Sequence, residues 1–159
     1  MDRKSFDCEI NKLLDKAENL IPNDELPNLP YMELAPDVHD WYKFEHEIWT
    51  IGENIRQLIS QNSKKLNSVH VERIIKICLD KKAKRGRQSF VMLLAKRMYT
   101  DHAERIVCLL NDNDVDGHVI NTLYKMQASN YVHLIEPFLN HNCTWIRNEA
   151  KRYVQKFSL

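Results

Sequence analysis

Apolar positions fall at helical intervals along most of this chain. Phe6, Ile10, Leu13, Leu14, Ala17 and Leu20 recur at i, i+3, i+4 and i+7, the stripe of an amphipathic helix over 5–20. Pro22 ends that helix. Residues 21–37 hold four of the five prolines (Pro22, Pro27, Pro30 and Pro36). Proline breaks helix and restrains the residue before it, so a proline-rich, extended connector is expected there. Ile21, Leu26, Leu29, Tyr31, Met32 and Leu34 lie among these prolines, which predicts a strap packed on the helices. Asp37 or Asp40 can cap a second helix running to about Gln61. Its buried stripe is Trp41, Phe44, Ile48, Trp49, Ile55, Leu58 and Ile59. Gly52 in its middle costs about 1 kcal/mol against alanine and suits a kink or a close helix contact.

From Ser68 the pattern becomes regular and predicts three helix pairs. The first helices are expected at about 69–81, 102–111 and 131–140, the second at about 86–99, 114–127 and 144–157. The second helices align with one another. Val91, Ala95 and Met98 match Val119, Leu123 and Met126, which match Ala150, Val154 and Phe157. Self-similarity at a period of roughly 30 is the mark of a helical solenoid, whose units bury their core against neighbours. Arg105-Ile106-Val107-Cys108-Leu109-Leu110-Asn111-Asp112 resembles the end of a HEAT first helix and its turn. Leu134-Ile135-Glu136-Pro137-Phe138-Leu139-Asn140 resembles it more closely, because HEAT first helices often carry a proline. Trp145-Ile146-Arg147-Asn148-Glu149-Ala150 looks like the start of a HEAT second helix, with its apolar–Arg–x–x–Ala run. The helix at 114–127 has Asp116 in place of that arginine, and the unit at 68–99 matches only in its second helix. The resemblance implies an all-α fold: a HEAT-like helical-repeat solenoid of about three pairs over 68–159. An N-terminal helical cap over 1–62, with the connector at 21–37, completes a single domain 1–159.

Composition narrows the class without naming a function. Three glycines in 159 residues lean towards helix, since β-rich chains spend glycine on tight turns. The charged N-terminus has no apolar run behind it, and no stretch reaches the ~20 apolar residues of a membrane span. A cytoplasmic protein with no membrane partner is expected. Cys8, Cys78, Cys108 and Cys143 are widely spaced and form no CxxC pair, so reduced thiols are expected. Cys78 and Cys108 fall beside Ile77 and Val107 and read as small core residues. Charge is uneven. Residues 1–62 carry 13 acids and 6 bases, whereas 63–100 carry 2 acids and 11 bases.

Few motifs carry chemistry. Asp112-Asn113-Asp114-Val115-Asp116-Gly117 opens like a calcium loop, but its twelfth position is Leu123 where a bidentate glutamate is needed. It reads as an inter-helix turn capped by Asp114. His46-Glu47 lacks a second histidine four residues on, and the other histidines are scattered, so no metal is expected. No GxSxG elbow, Walker loop or GxGxxG is present, so no catalytic residue, no cofactor and no enzyme activity are expected. Lys81, Lys82, Lys84, Arg85 and Arg87 form the densest charge cluster; they are candidate phosphate contacts, or a solvated turn satisfying a helix C-terminus.

Second helices usually line the concave side of a HEAT stack. With Val91, Ala95 and Met98 inward, the opposite face carries Ser89 and Lys96. By register it continues through Asn121 and Tyr124, then Asn148, Arg152 and Gln155, with Gly117 as the counterpart of Ser89. Tyrosine and arginine on such a ridge are residue types favoured at binding hot spots. Tyr42 falls off its helix's stripe and is a further candidate contact. The expected function is therefore protein binding. A divergent helical N-terminus followed by a few HEAT-like units resembles small bacterial immunity proteins. That form implies neutralisation of a cognate interbacterial toxin by direct stoichiometric binding, and a basic nuclease toxin suits the acidic segment. Nucleic-acid binding through the 81–87 turn is the alternative, and a scaffold or assembly factor is a third.

Overall fold

Helices form where apolar stripes are long and capped. The structure, a computed structural model, describes Met1 to Leu159, and 72% of its residues are helical. The chain is all-α apart from one two-stranded sheet. It divides into two compact units, Met1–Phe90 and Val91–Leu159, with the boundary inside a short helix and not at 62–68, where the patterns change.

In the first unit, helix α1 (Arg3–Leu20) is capped by Asp2, whose Oδ1 accepts from Ser5 N at 2.8 Å. It buries Phe6, Ile10, Leu14 and Ala17. Strands β1 (Tyr31–Met32) and β2 (Ala35–His39) form an antiparallel hairpin, with Tyr31 opposite His39 and Met32 opposite Ala35. The expected strap is thus only half formed: Ile21, Leu26 and Leu29 are half-buried, but Tyr31, Met32 and Leu34 stand in water. Helix α2 (Lys43–Asn62) begins at Tyr42, not at Asp37 or Asp40; Glu45 Oε2 accepts from Tyr42 N at 2.7 Å. Helix α3 (Ser68–Leu79) is capped by Asn67. Both α2 and α3 pack on α1, and Ile48, Ile55, Ile74 and Ile75 complete the core. A 3-10 segment, Lys81–Arg87, leads into α4 (Gln88–Leu93). Gly52 marks the expected close contact, because a Cβ there would overlap Ser89 Oγ and lie 2.7 Å from Ser89 Cβ.

In the second unit, α5 (Ala103–Ile106) and α7 (Val132–Ile135) are single turns continued as the 3-10 segments Val107–Asn111 and Glu136–Asn140. These fill the places of the first helices predicted at 102–111 and 131–140. Pro137, which lacks an N–H, favours the tightening in the second of them. Helices α6 (Asp116–Met126) and α8 (Thr144–Phe157) stand where second helices are predicted and pack on each other. Val119, Leu123, Met126 and Ala150 are buried, but Val154 and Phe157, the other α8 positions of the predicted register, are half-buried and Tyr153 is buried instead. The helix predicted over 86–99 breaks instead after Leu93. Lys96 takes an extended conformation and its N–H turns back to Leu94 O. Consequently Met98 is 50% exposed and Tyr99 takes the buried place. Tyr153 Oη closes the core by donating to Ala128 O and accepting from Tyr131 N. No helix is long and apolar enough to cross a membrane.

Candidate functional site

The hairpin is the feature that packing does not explain. Leu34 at its tip is 96% exposed and Tyr31 60%, with Met32 and Val38 exposed beside them. Single exposed apolar residues are ordinary, but four on one small element are a local excess. Residues 21–40 also contain Asp24, Glu25, Glu33, Asp37 and Asp40 and no lysine or arginine. The arm therefore combines an apolar tip with charge of a single sign.

Its root is held from several directions. Asp40 N donates to Pro30 O at 2.9 Å, and His39 Nδ1 donates to Leu29 O at 2.6 Å while its ring stacks on Tyr31. Tyr42 Oη donates to Pro27 O at 2.6 Å. The sequence-predicted contact Tyr42 is thus half-buried, tying the connector to the start of α2.

The basic segment 81–87 completes the root from inside. Arg85 donates from Nη1 to His39 O at 2.7 Å and from Nη2 to Asp40 O at 2.5 Å, and its guanidinium lies over Trp41. Its main-chain N–H and Nε both reach Glu45 Oε1, at 3.0 and 3.3 Å. Glu45 is 1% exposed, so one carboxylate both caps α2 and receives Arg85. Lys84 is buried, and its Nζ donates to Asn28 Oδ1 at 3.1 Å on the other limb of the connector. Arg87 is fully buried, with Nε on Lys84 O at 2.7 Å and Nη1 on Cys78 O at 3.3 Å. The solvated turn expected from charge density is therefore corrected. Of the five candidate phosphate contacts, Lys84, Arg85 and Arg87 are used within the protein, leaving Lys81 exposed and Lys82 beside Asp80.

No family model, curated protein or solved structure matches this chain.

The predicted ridge is brought together only in part. Asn121 Nδ2 donates to Glu149 Oε2 at 2.8 Å, and Arg152 Nη1 reaches Glu149 Oε1 at 3.1 Å. Arg152 lies over the Tyr124 ring at 4.7 Å, and Lys156 at 4.8 Å from the same centroid. Glu149, Lys156 and Phe157 thus join the cluster, although side-chain type alone did not single them out. Asn148 and Gln155 are exposed on α8. Lys96 is exposed but sits at the helix break, outside the assumed register. Ser89 and Gly117, expected on this face, are buried; a Cβ on Gly117 would lie 2.8 Å from Ile146 Cγ1.

Other chemistry finds no arrangement to support it. No three His, Cys, Asp or Glu side chains are grouped to hold a metal ion. In the calcium-like stretch, Asp112 Oδ1 accepts from Asp114 N and Asp112 O from Val115 N, while Leu123 is core. Helix α6 is preceded by Val115 and not by the expected Asp114 cap. All four cysteines are free thiols. Burial pushes the Cys78 thiol up to about 12, far from a reactive thiolate, whereas Cys108 is exposed and not in the core as expected. A cleft of about 580 Å³ on the first unit is walled by Glu18, Arg73, Lys76 and Lys82. Arg73 is already engaged there by Glu18, Asp15 and Asn11.

Proposed function

We propose that this protein is a binding module for a basic protein partner, and that the hairpin arm is the part that engages it. The observation that carries this reading is the arm's tip, with Leu34 almost wholly in water on a stretch of five acids and no lysine or arginine. An apolar anchor on a stretch with one sign of charge gives both a contact to bury and a steering field. The many hydrogen bonds at the root hold the arm in place before it binds, which lowers the ordering cost of association.

The narrower proposal is an immunity protein that neutralises a cognate interbacterial toxin by stoichiometric cover. A nuclease toxin is basic around its phosphate site, which suits an arm of this charge. The packing of α6 on α8, with 119 matching 150 and 123 matching 154, supports a HEAT-like repeat framework behind it. Nucleic-acid binding through 81–87 loses support, because three of those cations face inward.

A tagged chain incubated with host lysate at about 0.1 M and about 0.5 M salt, one portion nuclease-treated, tests the proposal. One stoichiometric basic protein that survives nuclease and is released at high salt is expected. Recovery of nucleic acid alone, lost when Lys81 and Lys82 are neutralised, overturns it.

A further inference from the structure

The second unit carries a surface of opposite sign. Helix α8 holds Arg147, Lys151, Arg152 and Lys156 against a single acid, Glu149. Arg147 is turned back on the preceding loop, donating to His141 O at 2.6 Å and Asn142 O at 2.9 Å. Glu149 is shared between Asn121 and Arg152. Lys156 has no carboxylate within ion-pair distance; its ammonium rests on the rings of Tyr124, at 4.8 Å, and Phe157, at 5.5 Å.

Two cations are thus gathered on one tyrosine, Arg152 paired with Glu149 and Lys156 with no carboxylate of its own. Like charges gathered on one ring repel, and the ring quadrupole, with Glu149 at Arg152, offsets the repulsion only in part. Lys125 and Lys151, both exposed, follow Tyr124 and precede Arg152 in the chain and add to the positive field. We propose that this face of α6 and α8 is a second recognition surface, taking the carboxylates of an acidic protein segment between Arg152 and Lys156. It is separate from the hairpin's role and opposite in the charge it selects.

Nucleic acid is the poorer occupant for two reasons. The Tyr124 ring already has Arg152 and Lys156 at 4.7 and 4.8 Å from its centroid, so a base would have to compete with a cation to stack on it. A phosphate backbone also needs a run of free cations, and here Glu149 already engages Arg152. A peptide carboxylate needs a single pair of donors, and arginine with tyrosine is the composition of protein hot spots.

The test is fluorescence anisotropy on the full chain with two probes, a glutamate–serine peptide and an oligothymidylate of equal charge. Arg152→Gln with Lys156→Gln is expected to weaken peptide binding about tenfold without shifting the melting temperature. Glu149→Gln, which removes the competing carboxylate, is expected to strengthen it about threefold. Leu34→Asp leaves peptide binding unchanged, which separates this surface from the hairpin. If the double variant melts early, Lys156→Gln alone is read, with a loss of about threefold expected. The inference is overturned by no peptide binding, by binding indifferent to these cations, or by tighter binding of the oligothymidylate through the same two side chains.

Discussion

Lys84 shows most clearly how one residue serves the arm. It takes φ 48° and ψ −134°, a left-handed-side conformation that suits glycine, yet carries a long side chain buried against the connector. Strain of this kind persists where surrounding contacts over-determine it, and here Asn28 holds the ammonium while the next residue, Arg85, holds His39 and Asp40. Replacement by alanine keeps the strain and loses the bond, whereas glycine loses the bond and relieves the strain. Lys84→Gly is therefore expected to be more stable than Lys84→Ala by about 1 kcal/mol in urea unfolding, the reverse of the order at a helical site. Equal stabilities, or alanine ahead, contradict the strain. Nothing in the composition of 81–87 announces this. Charge density marks a basic cluster, but Glu45, Asn28, His39 and Asp40, which consume it, lie some forty to fifty-six positions away in the chain.

Among the elements, α2 and α4 meet so closely that only glycine fits at position 52. Gly52→Ala gains about 1 kcal/mol of helix propensity but drives a Cβ into Ser89, and overpacking of that order costs about 1–3 kcal/mol. A net loss of stability is expected, with Ser89→Gly in the same chain restoring it; the double-mutant cycle reads the coupling directly. Additive effects of the two changes contradict the contact. The Gly52 approach was legible as one of two options, and α8 was legible in its bounds, 144–157, although Tyr153 takes the buried place expected of Val154. The hairpin was not. Its Glu33-Leu34 turn carries neither the Asn-Gly nor the Gly-X signal of a tight hairpin, no residue of it has positive φ, and Pro36 sits within β2. The stripe over 86–99 failed for the opposite reason. Its periodicity continues through Met98, but the backbone closes early at Leu94–Lys96 and delivers Tyr99 to the core instead.

For the whole molecule, titration sets the pH range of stability. Burial holds His70 and His118 below the ordinary imidazole range; Asp7 and Glu149 oppose it, and Arg3 and Arg73 add to it at His70. Depressed folded-state values mean that the unfolded chain takes up these protons first, so the stabilising contribution is full above about pH 6.5 and is lost as pH falls through and below it. Asp116 acts in the opposite sense: burial raises its value, so its share of stability is full at acid pH and declines as pH rises above the ordinary carboxylate range. Urea unfolding is expected to show lower stability at pH 5 than at pH 7, with His118→Gln flattening the difference. Equal stability at the two pH values contradicts the assignment. The amino-acid pattern conveys an acidic N-terminal half; the placing of five of those acids on or beside the arm follows from geometry that no periodicity encodes. The most direct measurement is therefore the affinity of the proposed basic partner for the chain and for its Leu34→Asp, Val38→Ser variant. Both side chains are exposed, so the fold and melting temperature should be retained. If the arm is the docking element, the variant binds at least about thirtyfold more weakly, as loss of a hot spot worth about 2 kcal/mol requires. Parental affinity in a correctly folded variant would show that the partner docks elsewhere and that the arm is not the site.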